Sequence, residues 1–594
     1  MRRRRRLFLL PVFIESGSPS LKARLSFLIP VRDIIPRVRK ILTAAEMREV
    51  DRLTTERYAV PSLLLMESAA NASARRIDAR LAGGVRGKTF QILCGRGNNG
   101  GDGAALARVL WTMGGHVDAI LFGRAEDTGG DALTNFRTAR ELSRFDAGSS
   151  SEPPPLSFVE CLDDATWETI AGARHGYDVI VDALFGTGLT RPLEGVHAKV
   201  VSHIELLRGA REHAGRNAPL VVSLDIPSGL DADSNAPVGP AVRADVTVTF
   251  TAPKQANVLP PASGLNGELH VADIGSPHAL IEAAPSRLFL TESTDARAWL
   301  EATRYTPESY KNTHGHALIV AGSRRMTGAA ILCADAAMCA GAGLVTVATP
   351  ESALPSVASR LMPEVMTAAL HETESGAVSA EAYEQFERLC ERATVVAVGC
   401  GLTRDEEGTR RFVRELVGRR TTPVVVDADG LNALAPWPEE LRGTREAPVI
   451  LTPHEGEMLR LLGSQDRSGL EERARVVSEF ASKHSLVVVL KGARTLVAAP
   501  DGRVFVNPTG NAGLGTAGSG DTLTGVITGF VAQAFGALKE DADAVAATVA
   551  AVYVAGLAGD LAASERGMRA LVASDIRTYL SAAVRALDPE GERP

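Results

Sequence analysis

Residues 511–525, NAGLGTAGSGDTLTG, combine a dense run of glycines with one acid, Asp521. An apolar run typical of a helix, residues 523–535, follows directly. A glycine-rich loop that leads into a helix N-terminus aims backbone N–H groups at an anion, and the helix dipole adds to the attraction. Because Gly518 and Gly520 carry no Cβ, the backbone there could approach a phosphate closely. This stretch therefore predicts an anion site at the start of a helix.

The carboxylate of Asp521 is unexpected beside an anion site, because it would repel the anion. One interpretation is a general base that takes a proton from a hydroxyl while the helix end holds the charge that develops. The other interpretation is a helix N-cap, a position where aspartate is common. Spacing alone leaves both open.

The composition indicates a globular α/β protein of more than one domain. The 594 residues suffice for up to four domains by length, and two large α/β domains of about 240 and 300 residues fit as well. A net charge of −7 and only 5% aromatic residues give no general nucleic-acid footprint and few platforms for base stacking. We therefore expect no nucleic-acid partner.

The cysteines and histidines show no metal-binding pattern. The six cysteines have no paired spacing and the twelve histidines form no HExxH motif, so we expect buried free thiols in a reducing cytoplasm and no zinc site. Residues 2–6 are arginines that precede a short apolar run, but no cleavage site follows closely. We interpret residues 1–40 as an unstructured extension or a start codon assigned too far upstream. No run of 18 apolar residues occurs, so no membrane span is expected.

The first half of the chain alternates strands and helices. A predicted strand at 89–94 leads into GRGNNGGDG (95–103) and a predicted helix at 104–113. Later apolar strands end in DALFGTGLTRPLEG (182–195) and SLDIPSG (223–229). Near-continuous apolar strands alternating with helices predict a parallel sheet covered on both faces. Although 95–100 satisfies G-x-G-x-x-G, no ribose-binding acid follows at the expected distance, so hydride transfer is not indicated.

Polar residues collect at the predicted carboxyl ends of these strands, which is the edge where open α/β sheets bind ligands. Each of them alone could instead be a turn or cap residue, but together they predict a site. They are Asn98, Asn99, Asp102, Asp182, Asp225 and Ser228.

A second α/β series follows a stretch without periodicity, and we place the domain boundary near residue 285. A strand at 316–321 and a helix at 329–340 open this series, and later strands end at 398–402, 424–432, 449–457 and 487–495. Two apolar helices, 544–563 and 574–587, close the chain. We predict domains at 41–285 and 286–590.

Both halves carry motifs of known families. GNNGGDG, DALFGTGLTR, SLDIPSG and APKQ resemble the YjeF N-terminal family, the NAD(P)H-hydrate epimerases. GAGLVTVATP, DADGLNAL, TPHEGE, KGART, NPTGNAG and GSGDTLTG resemble the ribokinase-like NAD(P)H-hydrate dehydratases. The order of the halves is similar to the bifunctional NAD(P)H-hydrate repair enzymes. The implied fold class is α/β with two domains, an N-terminal Rossmann-like three-layer domain and a C-terminal ribokinase-like α/β domain.

The resemblance implies repair of reduced nicotinamide cofactors hydrated at C6. The N-terminal domain would interconvert the R and S epimers of hydrated NADH or NADPH. The C-terminal domain would dehydrate the S epimer with ADP or ATP as co-substrate, releasing AMP or ADP and phosphate. Asp521 would then be the catalytic base, and Asp225 could contribute to proton transfer in the epimerase domain. We also expect a cytoplasmic homo-oligomer.

The resemblance also implies the remaining site residues. In the N-terminal domain, substrate would bind Asn98, Asn99, Gly100, Gly101, Asp102, Gly186, Thr187, Gly188, Leu189, Thr190, Arg191, Pro192 and Asp225, and K⁺ would bind Asn99, Asp182 and Ser228. In the C-terminal domain, substrate would bind Ala329, Gly401, His454 and Asp521, the nucleotide would bind Lys491, Gly492, Ala493, Arg494, Thr495 and Gly520, and Mg²⁺ would assist.

Two alternatives remain at the level of sequence. Sugar and vitamin-precursor kinases of the ribokinase-like class share the anion site and the aspartate, so the second half could form a stable phosphorylated product. The first half could be a non-catalytic ligand sensor or oligomerisation module. His454 read alone could be a structural loop histidine.

Overall fold

The computed structural model describes residues 39–144, 156–173, 176–213, 219–404, 406–466, 470 and 472–588. Most of the expected extension, residues 1–38, lies outside these residues, as do residues 149–155, whose serines and prolines predict a loop. Residues 39 and 40 were also expected in the extension. They instead form a two-residue strand, β1 (Arg39–Lys40), antiparallel to a strand of the second half.

The first half of the described chain forms a seven-stranded sheet in which every neighbouring pair is parallel. Its order is β4-β3-β2-β5-β6-β7-β8. The strands are β2 (Thr89–Cys94), β3 (His116–Leu121), β4 (Leu156–Glu160), β5 (Val179–Ala183), β6 (Leu220–Leu224), β7 (Val246–Phe250) and β8 (Glu268–Ala272). The helices are α1 (Ala44–Tyr58), α2 (Ser62–Arg80), α3 (Asn98–Thr112), α4 (Gly130–Ser143), α5 (Asp164–Ala173), α6 (Gly195–His213), α7 (Gln255–Val258) and α8 (His278–Ala283).

The second half builds an eleven-stranded sheet that also takes in β1. Its order is β1-β9-β18-β17-β16-β15-β14-β13-β10-β11-β12, antiparallel at β1–β9, β16–β17 and β17–β18 and parallel elsewhere. The strands are β9 (Leu288–Leu290), β10 (His316–Val320), β11 (Leu344–Pro350), β12 (Met366–Leu370), β13 (Val395–Val398), β14 (Val424–Val426), β15 (Val449–Leu451), β16 (Val487–Leu490), β17 (Leu496–Ala498) and β18 (Val504–Val506).

The helices of the second half cover both faces of this sheet. They are α9 (Ser293–Ala302), α10 (Thr327–Cys339), α11 (Leu354–Ala358), α12 (Tyr383–Cys390), α13 (Glu407–Gly418), α14 (Ala428–Ala433), α15 (Glu455–Leu461), α16 (Arg473–His484), α17 (Ser519–Gln533), α18 (Ala544–Arg566) and α19 (Ala573–Leu587).

Apolar side chains lie on both faces of each sheet, as the uninterrupted apolar strands predict. In β2, Ile92 packs with one cluster and Leu93 with another, because successive side chains of a strand point to opposite faces. In β10, Leu318 and Ile319 divide in the same way. Each half is therefore a three-layer α/β unit, and the predicted fold class is confirmed.

Two helices begin earlier than the sequence indicated. Residues 98–103 were expected in a loop, but they form the first turns of α3. These glycines are needed because other groups lie against the helix. A Cβ on Gly100 would lie 1.7 Å from the carbonyl oxygen of Gly95, and one on Gly101 would lie 2.8 Å from the Cα of Ala132. The helix α17 likewise begins at Ser519, four residues before the predicted apolar run.

The two halves share apolar contacts. Ile41, which follows β1, packs in the same cluster as Leu416 of α13, and Leu42 packs beside Met47 of α1. Val258 from the first half also belongs to the cluster of Leu416. The segment 39–42 is therefore packed against both halves, and we call it the joint between them.

One described helix, α18, is long and apolar enough by composition to cross a membrane. However, 72% of its most apolar window is buried inside the protein, where it packs against α17 and α19. All six cysteines are free, and four of them are buried as expected, but Cys339 is exposed and Cys390 is partly exposed.

Candidate active sites

A cleft of about 580 Å³ lies at the carboxyl edge of the seven-stranded sheet. It opens where the loops after β2 and β5 separate, which is the point where the strand order reverses and where open α/β sheets bind ligands. Directly after the two strands the loops are still in contact, since a Cβ on Gly95 would lie 1.8 Å from the carbonyl oxygen of Leu184. Glycine at position 95 therefore allows the two loops to pack together at the base of the cleft.

Most of the predicted epimerase residues line this cleft. Gly100 and Gly101 pack behind it, and Thr190, Arg191 and Pro192 lie on an exposed loop outside the lining. The predicted residues in the lining are Asn98, Asn99, Asp102, Gly186, Thr187, Gly188, Leu189 and Asp225.

Asp182, Ser228 and Asn99 supply buried oxygen atoms at this edge. The carboxylate of Asp182 accepts hydrogen bonds from the Ser228 hydroxyl, from the Ser228 backbone N–H at 2.8 Å and from the Ser223 hydroxyl at 2.8 Å. Burial raises the pKa of Asp182, although these donors oppose the shift. The Asn99 amide is buried, and neither its oxygen nor its nitrogen has a hydrogen-bond partner among the described residues. A buried amide without hydrogen bonds lowers the stability of the fold, so the Asn99 side chain is suited to bind a ligand.

Asp225 is held by a buried lysine. The Asp225 carboxylate forms an ion pair with the ammonium of Lys254, whose side chain is 1% exposed. That ammonium also donates to the Thr249 hydroxyl at 3.0 Å and to the Phe250 carbonyl at 3.1 Å. Asp225 has φ +66°, a left-handed conformation that is uncommon outside glycine. The strand end thus fixes Asp225 at the cleft. The ion pair with Asp225 also offsets the cost of burying the Lys254 ammonium.

The second candidate site lies at the carboxyl edge of the eleven-stranded sheet. Its strand order reverses at β10, between β11 and β13. The loop after β13 meets the start of α10 there, and a Cβ on Gly401 would lie 2.9 Å from the Cβ of Ala329. Two residues 72 positions apart by numbering, both predicted to contact substrate, are therefore neighbours.

A buried carboxylate, Asp427, organises this site. It follows β14 and binds the Lys491 ammonium at 2.7 Å through one oxygen and the Thr524 hydroxyl at 2.8 Å through the other. Burial alone would raise the pKa of Asp427, but the Lys491 ammonium and the hydroxyls of Thr524 and Thr452 together outweigh burial and hold the pKa below its usual value. Lys491 also lies 3.8 Å from the carboxylate of Glu457. A fixed cation therefore stands beside the start of α17.

Asp521 lies in the first turn of α17, and the N-cap position belongs to Gly518, with φ +85°. The interpretation of Asp521 as an N-cap residue is therefore wrong. Burial and the negative charge of Asp427 raise the pKa of Asp521 to about 6. The ligand atoms of Asp521, Asp427 and Cys400 all lie within 4.8 Å of one another. A carboxyl with a raised pKa beside a helix N-terminus is suited to proton transfer.

His454 is the N-cap residue of α15, where its Nδ1 accepts from the backbone N–H groups of Gly456 at 3.0 Å and Glu457 at 3.3 Å. Its ring therefore has a structural task, but it is 55% exposed and its Nε2 is not bound to the backbone. A parallel β-bridge aligns His454 with Lys491. The structural interpretation and a substrate contact are thus compatible.

Residues 491–495 form the turn between the antiparallel strands β16 and β17. Arg494 adopts φ +56° and donates to the Pro508 carbonyl at 2.8 Å, which ties this turn to the glycine-rich loop. That loop is anchored in turn by Asp560 of α18, which accepts from the backbone N–H of Gly510 at 2.8 Å and the Asn511 amide at 2.9 Å. Hydrogen bonds therefore hold the turn, the start of the loop and α18 together.

The sequence did not single out several residues of these sites. Asp427 and Lys254 stand in motifs quoted for the resemblance, DADGLN and APKQ, and the strand-end rule that selected Asp182 would also select Asp427. Thr524 stands in the quoted motif GSGDTLTG and Cys400 at a predicted strand end, but neither residue was singled out, because their contacts with Asp427 and Asp521 join segments that are far apart in the chain.

Comparison with known proteins assigns a family to each half. Residues 62–256 match the family described as YjeF-related protein N-terminus, and residues 317–581 match the family described as NAD(P)H-hydrate dehydratase. The chain is 40% identical over 553 residues to the bifunctional NAD(P)H-hydrate repair enzyme Nnr of Moorella thermoacetica, which covers 93% of this chain and 98% of the relative. The Nnr enzyme of Thermofilum pendens matches with the same identity and coverage.

A solved structure also matches the second half. It is the ADP/ATP-dependent NAD(P)H-hydrate dehydratase from Bacillus subtilis co-crystallised with ATP/Mg²⁺, at 31% identity and a TM-score of 0.42, covering 50% of this chain and 98% of that one. With both halves matched in this order by full-length relatives, the chain belongs to the family of bifunctional NAD(P)H-hydrate repair enzymes.

Proposed function

We propose that this chain repairs hydrated NADH and NADPH with two active sites. The N-terminal site interconverts the R and S epimers, and the C-terminal site dehydrates the S epimer with ADP or ATP as phosphoryl donor. The observation that carries the proposal is the Asp521 carboxyl, whose pKa is raised to about 6 in the first turn of α17 beside the Lys491–Asp427 pair. A small-molecule kinase would share this geometry, but the family of both halves favours repair.

The dehydratase site can activate a poor leaving group. Asp521 takes the proton of the C6 hydroxyl as that oxygen attacks the terminal phosphorus of the nucleotide, whose bond to AMP (from ADP) or to ADP (from ATP) breaks. The C6–O bond then breaks, phosphate leaves with the oxygen, and the C5 proton passes to water as the C5=C6 double bond of NAD(P)H forms. A general base contributes roughly 10²–10⁴-fold to such a step, and the N–H groups at the start of α17 stabilise the transferring phosphoryl group.

The other predicted residues have places around this step. Ala329, Gly401 and His454 would contact the hydrated cofactor, and the 491–495 turn with Gly520 would bind the adenine nucleotide. A Cβ on Gly520 would lie 3.4 Å from the Lys491 ammonium, so glycine keeps the space beside that cation open for a phosphate.

The carboxylates of this site fit Mg²⁺. Protein-bound Mg²⁺ takes one or two carboxylates together with substrate phosphates, and Asp427 and Asp521 supply two carboxylates close together. The Cys400 thiol beside them is not a hard oxygen ligand. Mg²⁺ bound there with the nucleotide would neutralise phosphate charge.

In the N-terminal site, Asn98, Asn99, Asp102 and residues 186–189 would surround the phosphates of the substrate, with Asp225 also in contact. The oxygens of Asn99, Asp182 and Ser228 suit K⁺, a hard cation, and the unpartnered amide of Asn99 supports this assignment. When bound, K⁺ would hold the two loops together and attract phosphate. We further propose a cytoplasmic homo-oligomer without nucleic-acid or membrane partners.

The proposal is tested by incubating the full chain with hydrated NADH, Mg²⁺ and either ADP or ATP. We expect the near-ultraviolet absorbance of NADH to return, and the faster nucleotide identifies the natural donor. Starting from the pure R epimer separates the two activities, because its repair requires the N-terminal site. A stable phosphorylated sugar or vitamin precursor, with no NADH formed, would instead establish the kinase.

A further inference from the structure

Asp51 of α1 lies in the wall of the N-terminal cleft. Its Oδ1 atom is covered from solvent and accepts no hydrogen bond among the described residues. A buried carboxylate oxygen without a donor is costly, and a proton or a substrate hydroxyl would satisfy it. Nothing in the fold of α1 requires an acid at this position, since the helix is capped by Thr43 and Glu46.

The charged groups around the cleft give Asp51 a different environment from the other acids. Asp225 is ion-paired with Lys254, and burial together with the negative charges of Asp225 and Asp51 raises the pKa of Asp102 well above its usual value. Burial raises the pKa of Asp51 to about 6, with Asp225 adding to the shift and Lys254 opposing it. The other charged or titratable side chains in the wall are Arg48, Arg96, Asp131 and His197.

We propose that Asp51 is the proton-transfer residue of the epimerisation. The inference rests on the proposed function of the N-terminal domain. It assigns a role that is distinct from that of Asp225, which Lys254 holds in place. A group that gives and takes a proton works best when its two forms are close in free energy at the operating pH.

The step balances without an oxidant or a further reactant. The C6 hydroxyl and the ring nitrogen N1 are bonded to the same carbon. Ionised Asp51 takes the hydroxyl proton as the C6–N1 bond breaks and C6=O forms, and it delivers that proton to N1. Rotation about the C5–C6 single bond turns the aldehyde, and the reverse steps close the ring as the other epimer.

The test measures R/S exchange on the full chain without nucleotide, with the uncatalysed exchange subtracted. We expect Asp51→Asn to lower kcat for exchange by roughly 10²–10⁴-fold with little change in KM, and Asp51→Glu to retain part of the rate. In the wild type, kcat should fall about tenfold per pH unit below about pH 6, because only the ionised carboxyl accepts the proton. That acidic limb should be missing from the residual rate of Asp51→Asn.

Two controls separate this role from a structural one. Glu49→Gln changes an exposed acid of the same helix and should leave exchange unchanged, and Asp51→Asn should still dehydrate the pure S epimer with ATP. The inference would be overturned if Asp51→Asn exchanged epimers with the same kcat as the unmodified protein. It would also be overturned if kcat of the unmodified protein did not change from about pH 5 to 7. If Asp51→Asn does not fold, the pH dependence of kcat in the unmodified protein and the exchange rate of Asp51→Glu test the inference instead. Absence of exchange in the wild type would instead contradict the proposed function itself.

Discussion

Two opposing influences act on the charge of Asp521. Its carboxyl stands in the first turn of α17, where the helix dipole favours negative charge, yet burial and Asp427 raise its pKa to about 6. The side chain is therefore ionised at neutral pH but a stronger base than an exposed aspartate.

We predict that Asp521→Asn lowers kcat for dehydration by roughly 10²–10⁴-fold, because the amide cannot accept the hydroxyl proton. R/S exchange should continue at the wild-type rate, since it takes place at the other site. In the wild type, dehydration should slow as the pH falls through about 6, where Asp521 becomes protonated. The absorbance assay and a chromatographic epimer assay measure the two rates. Loss of both activities in a folded protein would contradict the two-site assignment.

The Lys254–Asp225 pair is the most buried ion pair of the N-terminal cleft. Lys254→Met leaves the Asp225 carboxylate without its counter-ion, and breaking one partner of a buried pair typically costs about 3–5 kcal/mol. We expect a clearly lower urea midpoint for the N-terminal half, measured by circular dichroism. We also expect loss of R/S exchange, measured by the epimer assay. Lys199→Met, which removes an exposed cation of α6, is the matched control. An unchanged midpoint in Lys254→Met would show that the pair adds no stability.

The K⁺ ligand set gives a prediction for the same cleft. Asp182→Ala removes the acceptor that holds Ser228 and one of the three proposed K⁺ ligands. Exchange should fall strongly and should no longer respond to replacing K⁺ by a large organic cation, whereas the wild type should lose activity in that replacement. If Asp182→Ala exchanged epimers at the wild-type rate, the N-terminal half would fit the sensor alternative better.

At the scale of elements, α10 and α17 pack backbone to backbone at two glycines. A Cβ on Gly525 would lie 2.1 Å from the Cys333 carbonyl oxygen, and one on Gly529 would lie 2.7 Å from the Ala337 carbonyl oxygen. This approach sets the position of the α17 N-terminus relative to Ala329 and Gly401. The packing of α17 on α10 therefore positions the anion site.

Gly525→Ala should accordingly destabilise the C-terminal half. Alanine is normally preferred to glycine inside a helix by about 0.5–1 kcal/mol, but overpacking here should cost about 1–3 kcal/mol. We expect a lower thermal midpoint and slower dehydration, because α17 must shift. Gly418→Ala in α13 is the control, since nothing lies within 4 Å of a Cβ there. Equal midpoints for the two variants would contradict the close approach.

At the scale of the whole molecule, residues 39–42 join the two halves. Arg39 forms an ion pair with Glu292 at 2.8 Å, and the Ile41 and Leu42 backbone N–H groups donate to the carbonyls of Leu288 and Pro253 at 2.9 Å each. The side chains of Ile41 and Leu42 are 1% and 0% exposed and enter different cores. Four residues thus bridge both domains.

A chain that begins at Thr43 should therefore be less stable than one that begins at Arg39. Burying one large aliphatic side chain contributes about 1.5–3 kcal/mol, so the loss of Ile41 and Leu42 should lower the melting temperature measurably. Scanning calorimetry should also show the transitions of the two halves moving apart. Identical melting curves for the two chains would show that the joint carries no stability.

The sequence by itself determined the fold class, the order of the two α/β series and the sheet edges that hold the sites. These features depend on local patterns in the sequence. Apolar runs predict buried strands, and glycine-rich segments indicate where a strand ends and a helix follows. Asn99, Asp182, Asp225 and Asp521 were identified because each lies at the end of a predicted strand or in a glycine-rich segment. Their chemical roles stay predictions until the variants are measured.

Only the tertiary structure decided which distant residues meet. Lys254 reaches Asp225, Thr524 reaches Asp427 and Asp51 enters the cleft wall because packing brings separate segments together. It also decided that residues 98–103 are helical. Gly100 and Gly101 allow this helix to pack closely, because a Cβ at either position would clash with Gly95 or with Ala132. Pairings across long stretches of chain, and the pKa shifts that burial causes, depend on contacts that no local pattern encodes.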